Sequence, residues 1–181
     1  GQLVSAIEGI EVGGRNLIPN SSRIMFNLYN ITGTREWVPD SDSPTGESVL
    51  YNITGGGGFL YHSLGSYSAL KDGEEYVVSF YIKANKEIPS GSVSINDATI
   101  LNQNIFTITA EYQRKFVHFR KINTGNNNLN LNGMGSGSMP FSVNIHSFQV
   151  EKGTKATDWT PAPEDIFSEI DTKADGSTVY T

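Results

Sequence analysis

The chain carries 181 residues, no cysteine and a formal net charge of −6, with a pI near 5.0. Disulfide and thiolate chemistry are therefore excluded. Acidity argues against nucleic acid or an anionic membrane as the main partner, because both reward a basic face. No apolar run is long enough for membrane insertion, and 19 glycines with only 18% charged residues suit short apolar strands joined by polar turns.

Read from the N-terminus, Leu3, Ile7 and Ile10 follow the spacing of a helical seam. Residues 1–12 are accordingly expected to form a helical linker. It either packs on its own domain or ends a coiled coil that would assemble a homotrimer. The first ten residues lack the basic start and long apolar centre of a secretory signal. Gly13-Gly14-Arg15-Asn16-Leu17-Ile18-Pro19-Asn20-Ser21 opens the next segment. Trp37 then lies in a polar stretch running through Asp40, Asp42, Pro44, Gly46 and Glu47, which reads as a loop. Clustered side-chain oxygens around a glycine are what calcium needs. Pro44 breaks the spacing, so a solvated loop is the preferred reading, a structural calcium the alternative, and no other cofactor is expected.

The period next becomes two. Tyr76, Val78, Phe80 and Ile82 alternate with Val77, Ser79, Tyr81 and Lys83, which predicts a strand with one buried face. Asp72-Gly73 before it is a turn signal. Further strands are expected over 47–53, 57–62, 92–96, 104–109, 115–122 and 141–150, set apart by Gly, Asn and Pro clusters. With no long amphipathic helix among them and no internal repeat, they predict an all-β protein, a jelly-roll β-sandwich over 13–162. Within 123–139, Leu129 and Leu131 alternate with asparagines, which places a short strand inside a flexible polar loop. Pro163, Glu164 and Asp165 suit a helix start, so 163–181 is expected to be a C-terminal helical linker.

The most specific residues sit at the two edges of this domain. Gly13-Gly14-Arg15-Asn16-Leu17-Ile18 stands at the front. Gln149-Val150-Glu151-Lys152-Gly153-Thr154-Lys155-Ala156-Thr157-Asp158-Trp159-Thr160-Pro161-Ala162-Pro163-Glu164-Asp165 stands at the back. Together they resemble the edges of modules in tail and baseplate proteins of phages of Gram-positive bacteria. The resemblance spans residues 13 to 165. It implies a carbohydrate-binding-module-like β-sandwich displayed on the virion and acting outside the host cell. Bacterial cell-surface saccharide and other tail proteins are the implied partners. No ligand residue is carried over, and Trp159, inside the closing motif, is expected to be structural.

Sugars have apolar C–H faces and polar edges, so a site needs rings that stack and side chains that hydrogen-bond hydroxyls. Trp37 is the leading stacking candidate. Tyr51, Tyr61 and His62 are the other expected carbohydrate-binding residues, with Tyr67 a further candidate and Phe59 assigned to the core. Gly55, Gly56, Gly57 and Gly58 either let backbone approach a ligand or turn a hairpin. The asparagines of 123–139 both donate and accept, which suits hydroxyls, although turn chemistry explains any one of them.

Nothing in the chain marks a catalytic centre. His62, His118 and His146 lie far apart, and the last two are expected on strand faces. There is no Gly-x-Ser-x-Gly elbow and no His-Glu-x-x-His, while carboxylate pairs leave no sequence signature. The expected function is a non-catalytic module that adheres a phage tail to host cell-wall or surface polysaccharide. The alternative is an architectural spacer or docking domain with no sugar ligand. Trp37 and Tyr61 meeting on one exposed groove would favour the first, and buried or scattered aromatics the second.

Overall fold

The computed structural model describes residues 15–64, 69–123, 125, 127–133, 139–163 and 165. Its strands are β1 (Asn27–Pro39), β2 (Glu47–Ser63), β3 (Glu75–Ala84), β4 (Ile88–Ile95), β5 (Ala98–Ile100), β6 (Ile105–Ile108), β7 (Gln113–Lys121), β8 (Asn128–Asn132) and β9 (Phe141–Lys152). They pair antiparallel in the order β5-β7-β3-β9-β2-β8-β4-β6, with β1 also on β2. The all-β expectation holds. Of the expected helical extensions at 1–12 and 163–181, only Pro163 and Asp165 are among the described residues.

One strand joins the two layers. Residues 49–53 of β2 pair with β9, whereas Leu60, Tyr61, His62 and Ser63 pair with β8. Gly55–Gly58 lie between these pairings, so the strands expected at 47–53 and 57–62 are one bent strand and the glycines turn no hairpin. A Cβ at Gly58 would stand 1.7 Å from the carbonyl oxygen of Tyr29, and one at Gly56 2.3 Å from that of Asn30. Only glycine fits where β1 and β2 cross at that distance. Register shifts between Tyr29/Ile31 and Thr32/Gly33 add the local twist of bulges.

The bend folds the sheet onto itself. Val49, Tyr51, Ile53, Phe80, Phe119 and Val143 from one half share a core with Leu60, Val93, Leu129 and Leu131 from the other. Burying such side chains contributes about 1.5–3 kcal/mol each, which stands in for absent disulfides. Phe26, ahead of β1, closes one side: its ring lies 6.4 Å from Tyr51, 6.1 Å from His62 and 5.2 Å from Phe148.

β3 departs from the half-buried pattern, because Val77 and Ser79 are as buried as Val78 and Phe80. The closing motif explains this. Gln149 and Glu151 point to the outer side of β9 yet are buried, since the segment around Thr157 crosses above them. The Gln149 amide donates to the Thr157 carbonyl at 3.2 Å, and its oxygen accepts from the Thr160 amide at 3.0 Å. The Glu151 carboxylate accepts from the Thr157 amide at 3.0 Å.

The front motif is tied into the same latch. Asn16, fully buried, accepts from the amides of Ile18 at 3.2 Å and Val150 at 3.3 Å, and donates to the Thr160 carbonyl at 3.1 Å. The Asp165 carboxylate accepts from the amides of Asn20 at 2.7 Å and Ser21 at 2.8 Å. The two motifs that stand farthest apart in the chain are therefore one structural unit.

Candidate functional site

Along a strand, side chains alternate between faces, and directly paired residues share one. Leu60 is buried in the core, so Phe59 and Tyr61 point outward. Tyr29 is paired with Phe59, and Asn27 with Tyr61. The Tyr29 and Phe59 rings stack at 4.8 Å and 24°, and Tyr61 meets Phe59 edge-on at 6.5 Å. Tyr29 is 50% exposed.

The same face continues across β8 and β4. Asn130 pairs with Tyr61 on one side and Ser94 on the other, while Asn132 pairs with Ser92. Ser92 in turn pairs with Ile105, which is 59% exposed. The side chains form a network: Asn130 Nδ2 donates to Asn96 Oδ1 at 3.1 Å and to Ser94 Oγ at 3.4 Å, and Asn132 Nδ2 donates to Ser94 Oγ at 3.1 Å. A strip of rings thus borders a floor of amides and hydroxyls. Chemically, such a face stacks against an apolar surface while hydrogen-bonding its polar edge.

The residues singled out in the sequence fall in different places. Tyr61 is on this face. Tyr51 is not available to a ligand and is corrected to a core residue: it is 1% exposed, and its hydroxyl accepts from the Phe26 amide at 2.8 Å. Burial pushes its phenol well above the usual tyrosine range. His62 neighbours Tyr61 in sequence but points the opposite way, paired with buried Leu129 and 5.6 Å from the Phe148 ring. Burial pushes its imidazole down to about 4, so it is neutral at physiological pH. Phe59, assigned to the core, instead lies half-buried in the middle of the outer ring strip.

Trp37 lies in β1 rather than in a loop, paired with buried Val49. The Arg23 guanidinium sits 4.2 Å over its ring and is itself paired with Glu47 at 2.7 Å. Trp37 also lines a cleft with Phe26, Trp159 and His146, but the free volume there is about 20 Å³. That is room for about one water and not for a sugar ring. Trp37 and Tyr61 therefore do not converge. Tyr67 and residues 134–138 of the Asn-rich loop lie outside the described residues.

The loop at 40–47 is an ordered turn, with the Asp40 amide donating to the Gly46 carbonyl at 2.8 Å. The Asp40 carboxylate accepts from the Asp42 amide at 3.0 Å and from the Tyr112 hydroxyl. Its oxygens are engaged within the protein, and no group of three His, Asp or Glu side chains among the described residues is placed to hold a metal ion. The histidines have structural partners: His118 meets Glu75 at 2.8 Å, and His146 stacks on Tyr81 at 5.0 Å and 8°. Arg120 and His118 together hold the Glu75 carboxyl below its usual range.

Sequence reading missed Tyr29, Phe59, Asn130 and Ser94 as members of one face. The alternation of Asn128, Asn130 and Asn132 with leucines was a visible signal for β8. Tyr29 gave none, because β1 contains Asn30, Gly33 and two bulges that hide its period.

No protein-family model and no curated protein matches the chain. Solved structures do. The N-terminal CBM22-1–CBM22-2 tandem domain of Paenibacillus barcinonensis Xyn10C is similar with a TM-score of 0.51 and 12% identity, over 82% of this chain and 48% of that one. The fold is like that of carbohydrate-binding modules. A CBM4 structure aligns with a TM-score of 0.49 and 16% identity, over 68% of this chain and 80% of its own. The tripod from the baseplate of bacteriophage Tuc2009 aligns with a TM-score of 0.47 and 14% identity, over 84% and 60%.

Proposed function

We propose that residues 13–162 are a non-catalytic, jelly-roll sugar-binding module of a phage tail protein, adhering the virion to host cell-wall or surface polysaccharide. The observation that carries this is the Tyr29–Phe59–Tyr61 strip, exposed at Tyr29 and half-buried at Phe59 and Tyr61, beside the Asn130–Ser94–Asn132 network. The module-like fold and the two edge motifs support the setting. Tyr29 and Tyr61 supply the stacking surface, and half-buried Asn132, whose Nδ2 is bonded within the protein, offers its amide oxygen to hydroxyls. Each site is shallow and weak by itself, and several copies on one virion raise the avidity through effective concentration.

The separation of Trp37 from Tyr61 is what favours the architectural alternative, a spacer or docking domain with no ligand. The strip outweighs it, because three rings gathered at the surface beside polar side chains offer a stacking surface that a spacer does not need. The test is binding of fluorescently labelled protein to Gram-positive cells, beside a Tyr29→Ala/Tyr61→Ala variant shown to be folded. Saturable binding, competed by purified wall polysaccharide and lost in the variant, is expected. Absence of binding even when the domain is multimerised would establish the spacer role instead.

A further inference from the structure

Arg35 differs from Arg23 and Arg120 in what it meets. Arg23 is paired with the Glu47 carboxylate and Arg120 with that of Glu75. Arg35, equally exposed, has no carboxylate within ion-pair distance among the described residues, although acidic residues outnumber Lys and Arg by 19 to 13 in the chain. Its Nη1 donates instead to the Phe26 carbonyl at 2.8 Å and to Asn27 Oδ1 at 2.9 Å. Both acceptors are neutral, so they fix the side chain and leave its charge uncancelled. They also occupy Nη1 alone. The Nε–Nη2 edge, which grips a carboxylate or phosphate through two parallel bonds, is left without an acceptor among the described residues.

Position ties this edge to the ring strip. In a straight strand residues 27 and 35 stand about 26 Å apart. The register shifts between Tyr29/Ile31 and Thr32/Gly33 bend β1, and the guanidinium thereby reaches Asn27. Asn27 pairs with Tyr61, and paired residues share a face. A fixed positive charge therefore lies one side chain away from the Tyr61 ring. The net charge of −6 does not cancel it, because charges beyond about 8 Å are largely screened at physiological salt. Glu36, next in the chain, pairs with Leu50 whereas Arg35 pairs with Tyr51, so the two point to opposite faces. A pre-placed guanidinium with a free fork is suited to an oxyanion rather than to a hydroxyl alone.

Resting on the sugar-binding reading, we infer that the bound saccharide carries an oxyanion, a carboxylate or a phosphate, which Arg35 takes by its Nε–Nη2 edge while the sugar ring lies against Tyr61. An array of neutral hexasaccharides, hexauronates and phosphodiester-linked oligomers of matched length tests it with the intact chain and shows which oxyanion is taken. Anionic members are expected to be retained about tenfold more strongly than neutral ones, as for one hydrogen-bonded charge, with the margin shrinking as salt rises. Arg35→Gln should abolish the margin. Asn27→Asp, which sets a carboxylate against the guanidinium without removing it, should do the same and spares the Phe26 contact. Tyr61→Ala should weaken neutral and anionic members alike. Neutral members retained as strongly as anionic ones, or a margin that survives either substitution, would overturn the inference and leave sugar binding intact. Anionic retention indifferent to Tyr61→Ala would mark simple ion pairing and overturn it too. Retention of no member removes the sugar-binding reading and this inference with it.

Discussion

The outer faces of the two halves of the sandwich start from the same alternation and end differently. On the β7-β3-β9 half, Ser79, Gln149 and Glu151 point outward and are buried, because residues around Thr157 cross above them and supply partners. On the β2-β8-β4 half, Tyr29, Phe59 and Tyr61 stay at the surface beside asparagine amides, and the Asn130 oxygen has no donor. Outward polar residues are thus a latch under the terminal segment on one half and the floor beside a ring strip on the other. What separates the two is the path of the terminal segments, not the strands themselves.

The comparison breaks most severely at the bend that divides the halves. Gly58→Val places a side chain against the Tyr29 backbone and is expected to cost about 3 kcal/mol, the upper range for overpacking. Chemical denaturation reads the loss, and saccharide binding should fall with it because Tyr29 must move. A variant as stable as the parent would show that β1 can yield.

Next comes the latch. Asn16→Ala leaves two backbone amides and a carbonyl without their buried partner and is expected to cost about 2–3 kcal/mol. Binding by the folded protein should be unchanged. If binding fell in step, the covered and open faces would not be separable.

His62 gives the pH dependence. Its folded pKa, about 4, lies below the ordinary 6.5 because burial disfavours the charged form. The unfolded chain therefore takes up the proton first. Stability is fully present above about pH 6.5 and declines as the pH falls towards about 4, by on the order of 2 kcal/mol. A His62→Phe variant should show a shallower slope in urea midpoints measured across the window, because His146, also held down by burial, keeps its share. An identical slope would assign it to other groups.

Tyr61→Ala should have the smallest structural effect, leaving stability within about 1 kcal/mol while weakening saccharide binding about tenfold. Calorimetry of the folded variant separates the two readouts. A large loss of stability would move Tyr61 from the open surface to the packing.

Much of the fold was legible because strands announce themselves by period. The predicted runs at 92–96, 104–109, 115–122 and 141–150 overlap β4, β6, β7 and β9, and the leucines at 129 and 131 mark β8. β1 was not legible, since its bulges and Gly33 interrupt the alternation that betrays a strand. Tyr51 and Tyr61 look alike in sequence, each near a glycine run within one strand. The intervening bend changes which parity faces the core, so one is buried and the other lies half-buried on the outer face.

By itself the sequence determined an all-β, cysteine-free, acidic domain with paired edge motifs, because composition and alternation are local properties that survive without a partner. Only the tertiary structure decided which aromatic rings meet, that Trp37 lies under Arg23, and that Asn16, Gln149 and Asp165 close one face while Asn130 stays on the other. Those outcomes depend on pairings between residues far apart in the chain and on the register shifts between β1 and β2. No run of neighbours encodes them, because contact is settled by how the whole sheet curls around its core.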